Sequence, residues 1–249
     1  MENIAVSFSP NASQLTIIEK WLEEEYRTKK KGFYVNWYNS ALPSHTAGRL
    51  GILLKGEEPI GFMTWFLENE KVAEIQLAEI EPRQRKKGYG KYLLNAILEK
   101  LTLSGIRIVR LHCQPAASEN VWKKLGFNKF PNFKVFAEAN SPEGKHLFKI
   151  LNDVPEATEK INAESDLIEL WAGQPWEVSN EKPKWSWHPQ FLPNSHFLSP
   201  FIISPAHYEW KMRWTSNGTV IHNDKIKYFP NMRLDFSDFL IIDELPIKA

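Results

Sequence analysis

Apolar and polar residues alternate through Ile4–Phe8, the period of a short strand. The spacing then changes to that of a helix, with Leu15, Ile18, Leu22 and Tyr26 on one face and Asn11 or Ser13 placed to cap its start. Residues 29–48 hold Gly32, Pro43 and the aromatics Phe33, Tyr34, Trp37 and Tyr38, and read as an irregular segment packed on the core rather than lining a cleft. Three strands follow as a meander, Arg49–Leu54, Ile60–Leu67 and Val72–Ile80, with polar turns at 55–58 and 68–70 and a stop at Pro82. After Gly90, Leu93, Leu94, Ile97, Leu98 and Leu101 recur at helical spacing until Gly105. Ile106, Ile108, Leu111 and Cys113 give another strand, and Ser118–Leu125 a short helix stopped by Gly126. Phe133–Ala137 and His146–Leu151 read as a closing hairpin. This order predicts an α+β fold: a mixed, largely antiparallel sheet flanked by helices, with one parallel crossover.

Beyond residue 152 the pattern changes. Glu156–Ala163 is polar and reads as helix or linker. Glu209–Trp214 then alternates, and Asn217-Gly218 marks a two-residue hairpin into Thr219–His222. Nine prolines after residue 150 disfavour long helices there. Charge divides at the same place. Residues 1–150 carry 22 Lys and Arg against 16 Asp and Glu, and residues 151–249 carry 9 against 14. Six of the ten tryptophans also fall in the second part. Two domains are therefore expected, 1–152 and 153–249, the second Trp-rich and mainly β, with opposite fields that attract. Its tryptophans read as core more readily than as a recognition surface.

Composition excludes several classes. The 43% hydrophobic and 24% charged content is that of a packed soluble protein. A single cysteine, Cys113, cannot form an internal disulfide. The start of the chain lacks a secretory pattern, and no apolar run is long enough for a membrane span; a cytoplasmic location is expected. His188, His196, His207 and His222 fit no metal-ligand spacing, so no metal is expected.

The stretch with chemical content is Ile80-Glu81-Pro82-Arg83-Gln84-Arg85-Lys86-Lys87-Gly88-Tyr89-Gly90-Lys91: a strand end, a basic loop with two glycines, and the start of an amphipathic helix. Gly-x-Gly in a basic loop is by itself an ordinary solvated turn. In a strand–loop–helix context, however, glycines free the backbone to approach a ligand and free N–H groups at the helix start point at one spot. The helix dipole, with Arg85, Lys86 and Lys87, makes that spot positive. Such a loop cradles a pyrophosphate.

Here the sequence resembles the GNAT acetyltransferase superfamily over roughly residues 3–151. Arg85-x-x-Gly88-x-Gly90 matches its coenzyme A signature, and Leu125-Gly126-Phe127 the Leu-Gly-Phe that closes its last conserved helix. The resemblance implies acetyl-CoA as co-substrate, with the backbone from Arg85 through Lys86, Lys87, Gly88 and Tyr89 to Gly90 and Lys91 on the pyrophosphate. It implies that the edge of Glu74–Ile80 pairs with the pantetheine arm, and donors near Leu77 and Ile80 would serve the oxyanion. Glu74, fourteen residues ahead of Gly88, stands where the histone-acetylating branch has a glutamate, and is the candidate general base; Glu79 and Glu81 compete. Strict alternation sets Glu79 and Glu81 on the face opposite Glu74, a count that a bulge would reset. Two departures stand out. Trp122 occupies the place of the tyrosine that supplies a proton in many members, and an indole N–H delivers none. The asparagine often found early in that helix would fall at Pro115, with Asn120 as its substitute.

The expected function is transfer of an acetyl group from acetyl-CoA to a primary amine on a small molecule, peptide or protein, with a homodimer left open. The alternative is an acyl-CoA-binding module of weak or no activity, whose second domain holds a partner protein. Nucleic acid is disfavoured, because the acidic second part repels phosphate.

Overall fold

The computed structural model describes residues 3–142, 145–151, 166–193, 195–229, 233–235 and 238–245. Expected segment 156–163 lies outside the described residues. The chain divides into two compact units, Met1–Lys129 with Ser141–Leu151, and Phe130–Asn140 with Asn152–Ala249.

The first unit is built on a seven-stranded sheet. Its strands are β1 (Ile4–Ser7), β2 (Leu50–Lys55), β3 (Glu58–Leu67), β4 (Val72–Ile80), β5 (Ile108–His112), β6 (Asn128–Lys129) and β7 (His146–Ile150), in the order β1-β2-β3-β4-β5-β7-β6. All pairs are antiparallel except β4 with β5. A parallel pair needs a crossover, and helix α4 (Tyr89–Leu103) supplies it.

Helix α1 (Ala12–Lys29) opens with a capping box, Asn11 accepting from the Gln14 N–H while Gln14 reaches back to the Asn11 N–H. It buries Ile18, Trp21 and Leu22 against Leu50, Ile52, Phe62 and Leu77 on one face of the sheet. The expected irregular stretch is instead largely helical: α2 (Tyr34–Asn36), a π turn at Trp37–Ala41 and α3 (Leu42–Thr46). Pro43 sits where a first turn tolerates it. The wide π turn turns Trp37, fully buried, into the α1-side core. Packing on the core, as expected, is what this aromatic segment does at Trp37, while Tyr38 stays exposed.

On the opposite face lies α4 (Tyr89–Leu103), burying Leu93, Leu94, Ile97, Leu98 and Leu101 against Leu53, Met63, Trp65, Ala73 and Ile75. Each such side chain contributes about 1.5–3 kcal/mol. After β5 comes the short α5 (Glu119–Lys124), closed by Gly126 at φ +88°. The expected closing hairpin differs in one strand. β7 pairs with Asn128–Lys129, whereas residues 134–136 form a 3₁₀ turn in the second unit, where Phe133 packs edge-on to Trp210 at 5.3 Å.

The second unit is strand-rich. β8 (Leu167–Leu170), β9 (Trp185–Trp187), β11 (Lys211–Ser216) and β12 (Thr219–Lys225) form a sheet in the order β12-β11-β8-β9. β10 (Phe197–Pro205), β13 (Arg233–Asp235) and β14 (Phe239–Glu244) form another, ordered β10-β14-β13. Asn217 and Gly218 both adopt positive φ, 47° and 77°, which a two-residue hairpin turn requires. Trp171, Trp210 and Trp214 are core, while Trp176 is exposed under the Lys225 ammonium.

Candidate active site

β4 and β5 pair only through Val72–Ile75 and Ile108–Leu111. Past that point, among the described residues, no strand pairs with the β5-side edge of β4. A bulge adds Gln76 to β4, between Ile75 opposite Trp65 and Leu77 opposite Thr64. Against the open end of β4 lies a cavity of about 450 Å³, which the first turns of α4 and one face of α5 complete. Its β4 wall is Ala78, Glu79 and Ile80; Gly90 and Leu93 face them from α4; Ser118, Trp122 and Leu125 close the far side.

α4 begins without a side-chain cap. Gly88 precedes it at φ +84°, a conformation that a side chain resists, and Lys86 is held at φ +64°. The Tyr92 N–H bonds back to the Gly88 carbonyl at 3.2 Å, so the N–H groups of Tyr89, Gly90 and Lys91 have no partner within the helix. Gly90 has a different meaning from Gly88. Its backbone is helical, where glycine is disfavoured by about 1 kcal/mol relative to alanine. A Cβ there would meet only Ile80 Cγ1, at an ordinary 3.8 Å. Among the described residues nothing requires a glycine at 90, and its absent side chain leaves room at the cavity wall. Lys86, Lys87 and Lys91 are exposed around this mouth, Lys87 bonded to Gln84 Oε1 at 2.9 Å.

Arg85 does not add its charge to that mouth as the sequence suggested. Its guanidinium turns inward, bonding Glu25 Oε2 at 3.0 Å, Glu79 Oε1 at 2.9 Å and, through Nε, the Ile80 carbonyl at 2.9 Å. Two carboxylates cancel it, one on α1 and one on β4. Arg85 therefore ties α1 to the end of β4 and fixes the Glu79 side chain.

The bulge decides which carboxylates share a face. Ala73 and Ile75 before it, and Ala78 and Ile80 after it, all pack toward α4, while Leu77 packs toward α1. Glu74 and Glu79 therefore lie on the same face, and strict alternation is corrected by one inserted residue. Their surroundings differ. Glu74 Oε2 takes a 3.2 Å bond from Arg110 Nε on β5, and Arg110 also pairs with Glu68. Glu79 lines the cavity. Burial raises its carboxyl above the ordinary 4.5; Arg85 opposes that shift and Glu25 adds to it. Leu77 is buried in the α1-side core with its backbone on the open edge of β4.

On α5, Trp122 packs edge-on to Phe127 at 5.4 Å and presents its indole to the cavity. Asn120 is exposed and outside the cavity lining, and Pro115 stands ahead of the helix. Sequence reasoning missed Ser118, which lines the cavity and whose Oγ is shielded from solvent beside the Cys113 thiol. It also missed Glu25, a buried carboxylate at a position that reads as the polar flank of α1. A buried polar atom carries no signal in a single sequence; the i, i+4 relation of Ser118 to Trp122 was the one clue. Among the described residues, no three His, Cys, Asp or Glu side chains cluster to hold a metal ion, and no helix is long and apolar enough to cross a membrane.

Residues 14–127 match the model of the acetyltransferase (GNAT) family. No curated protein matches the sequence. Among solved structures, Ard1 from Thermoplasma volcanium is similar at 16% identity and TM-score 0.45, covering 59% of this chain and 97% of that one. The PaiA N-acetyltransferase from Thermoplasma acidophilum, in complex with coenzyme A, is similar at 16% identity and TM-score 0.46, covering 59% and 99%. An aminoglycoside 6′-N-acetyltransferase complexed with coenzyme A is similar at 13% identity and TM-score 0.46, covering 62% and 99%.

Proposed function

We propose, on the premise that residues 14–127 form a domain of the acetyltransferase (GNAT) family, that this chain transfers an acetyl group from acetyl-CoA to a primary amine by direct attack. The observation that carries the reading is the cavity where the unpaired end of β4 meets the uncapped start of α4. The pyrophosphate would take the N–H groups of Tyr89, Gly90 and Lys91, with Lys86 and Lys87 adding charge from solvent. The pantetheine arm would continue the sheet along Leu77–Ile80, its amides pairing with backbone groups that no described strand occupies, and N–H groups of that edge would meet the oxyanion.

An amine attacks only after losing its proton, since the lone pair of an ammonium is taken. Two carboxylates on one face of β4 are candidates for that proton. Glu79 has the stronger support: it borders the cavity, and burial has shifted it toward the range in which a base works at neutral pH. Each is bonded to an arginine, Glu79 to Arg85 and Glu74 to Arg110, but Glu74, which the family resemblance favours, lies outside the cavity lining. A binding module without turnover remains the second reading, and the observation behind it is the indole of Trp122 in the position of the family's tyrosine.

Calorimetric titration with acetyl-CoA, then thiol release over a panel of amines, tests both readings. Glu79→Gln is expected to keep acetyl-CoA affinity within about threefold and to lower turnover roughly 10²-fold. If Glu74→Gln alone produces that loss, the base is Glu74. Tight binding with no thiol release from any amine would favour the binding module, and absence of binding would remove acetyl-CoA from the account.

A further inference from the structure

A carboxylate is a weaker base the more fully a guanidinium pairs with it. At Glu79 that pairing is divided. A single nitrogen of Arg85, Nη2, serves Glu79 Oε1 at 2.9 Å and both oxygens of Glu25, at 3.0 and 3.1 Å. Arg85 Nε, the other half of the fork by which a carboxylate is held at two points, is occupied by the Ile80 carbonyl at 2.9 Å. Glu79 therefore receives one shared N–H from the arginine, beside a 3.2 Å bond from the Ile80 N–H. The side chain of Glu25 is 6% exposed and that of Glu79 15%, so solvent screens neither charge well. Glu25 reaches the pair from α1, Arg85 from the loop and Glu79 from β4. Around them Lys29 pairs with Glu25 at 3.1 Å and Glu24 with Arg83 at 3.6 Å, and Glu81 lines the same hollow as Glu24, Glu25 and Arg83.

We propose that Glu25 is a positioning residue for the base: by holding Arg85 on the α1 side, it keeps the guanidinium from neutralising Glu79 and leaves that carboxylate able to take the proton of the attacking amine. The inference rests on the acyltransfer reading above, with Glu79 as base. In the step, the amine nitrogen forms its bond to the carbonyl carbon, and the carbon–sulfur bond breaks with its electron pair on sulfur. The proton lost by the amine passes to Glu79 and then to water. Glu25 and Arg85 exchange no proton. Removing the charge of Glu25 acts on Glu79 twice, in one direction. It takes away a like charge that raises the Glu79 carboxyl, and it frees Arg85 to lower that carboxyl further. A Glu25 that only tied α1 to the sheet would change stability when replaced and leave the ionisation of Glu79 where it was.

The Glu79 carboxyl reports this arrangement without any acceptor. Its ionisation is followed by carboxyl-carbon magnetic resonance on the full chain, isotope-labelled at glutamate, its signal identified as the one missing from Glu79→Gln. Glu25→Gln is expected to move that titration downward by about one pH unit, and Arg85→Gln, which removes the cation, to move it upward. Glu25→Asp draws the carboxylate back from Arg85 and is expected to give a smaller downward shift, read in place of Glu25→Gln should that variant not fold. In thiol release from acetyl-CoA with an amine, the acid limb of the pH profile is expected to follow the carboxyl, lying at lower pH in Glu25→Gln. An unmoved carboxyl in the Glu25 variants overturns the proposal, as does a shift in the same direction on removing Glu25 and on removing Arg85. A carboxyl that moves while the acid limb stays in place takes the base role from Glu79, and the positioning role of Glu25 falls with it. Thiol release from no amine in the unaltered protein overturns the acyltransfer reading itself and this inference with it.

Discussion

Glu119 shows how much one side chain can organise. It sits at the start of α5 with Lys129 Nζ at 2.8 Å, Lys145 Nζ at 2.9 Å and Lys123 Nζ at 3.7 Å. Hydrogen bonds from Lys129 and Lys145 hold its carboxyl at about 2, below the ordinary 4.5. A carboxyl depressed in the folded state binds fewer protons there than in the unfolded chain. Its stabilisation is therefore complete above the unfolded value and is lost as pH falls from 4.5 toward 2. Denaturation midpoints measured across that window are expected to fall more steeply for the unaltered protein than for Glu119→Gln. Glu209, lowered by Lys225 and Lys227, also titrates low, so the difference between the two proteins is the quantity to read. Equal slopes would show that the lysines do not hold this carboxylate in solution. At this scale the sequence was least informative. Glu79 and Glu74 share a face because of one bulged residue, Gln76, and no alternation of residue types announces a bulge.

Elements were more legible than residues, because periodicity over ten or more positions is hard to mimic by chance. The α4 stripe of Leu93, Leu94, Ile97, Leu98 and Leu101 and the meander of β2, β3 and β4 fall where the apolar pattern sets them. The helical run of residues 34–46 escaped because Gly32 and Pro43 read as breakers, although Trp37 and Ala41, four apart, are both buried. Phe133–Ala137 read as a strand since its apolar residues do alternate, but they pack in the second unit. Within α4, Gly90 separates stability from function. Gly90→Ala fills open space 3.8 Å from Ile80 in a helical backbone, so unfolding free energy is expected to rise by up to about 1 kcal/mol. The same methyl occupies the cavity wall and is expected to weaken acetyl-CoA binding by roughly tenfold or more by calorimetry, taking the lost contact as about 1.4 kcal/mol. A protein with Gly90→Ala that is more stable and binds equally well would remove the mouth of α4 from the binding site.

For the molecule as a whole, the telling segment is the one between β6 and β7. Composition and charge change near residue 152, and that was the boundary they suggested. Residues 130–140 nonetheless cluster with the second unit, where Phe130 and Phe136 are buried, Phe130 lies 5.4 Å from Phe239, and Phe133 and Phe136 meet Trp210. Spacing along a chain tells which residues are apolar, not which distant residues cover them, so this exchange was invisible in the sequence. It bears on any attempt to isolate the first unit. A fragment ending at residue 152 keeps three phenylalanines whose partners, Trp185, Trp210 and Phe239, have been removed. That fragment is expected to bind a hydrophobic dye and self-associate in sedimentation. The same fragment with Phe130, Phe133 and Phe136 changed to serine is expected to stay monomeric and to bind acetyl-CoA with unchanged affinity. In the full chain, the Phe136→Ala change alone should cost about 3–5 kcal/mol of stability. Removal of these side chains, helpful in the fragment and harmful in the whole, follows only if they belong to the second core. A dye-silent, monomeric fragment with the phenylalanines intact would mean that segment 130–140 finds its cover within the first unit instead.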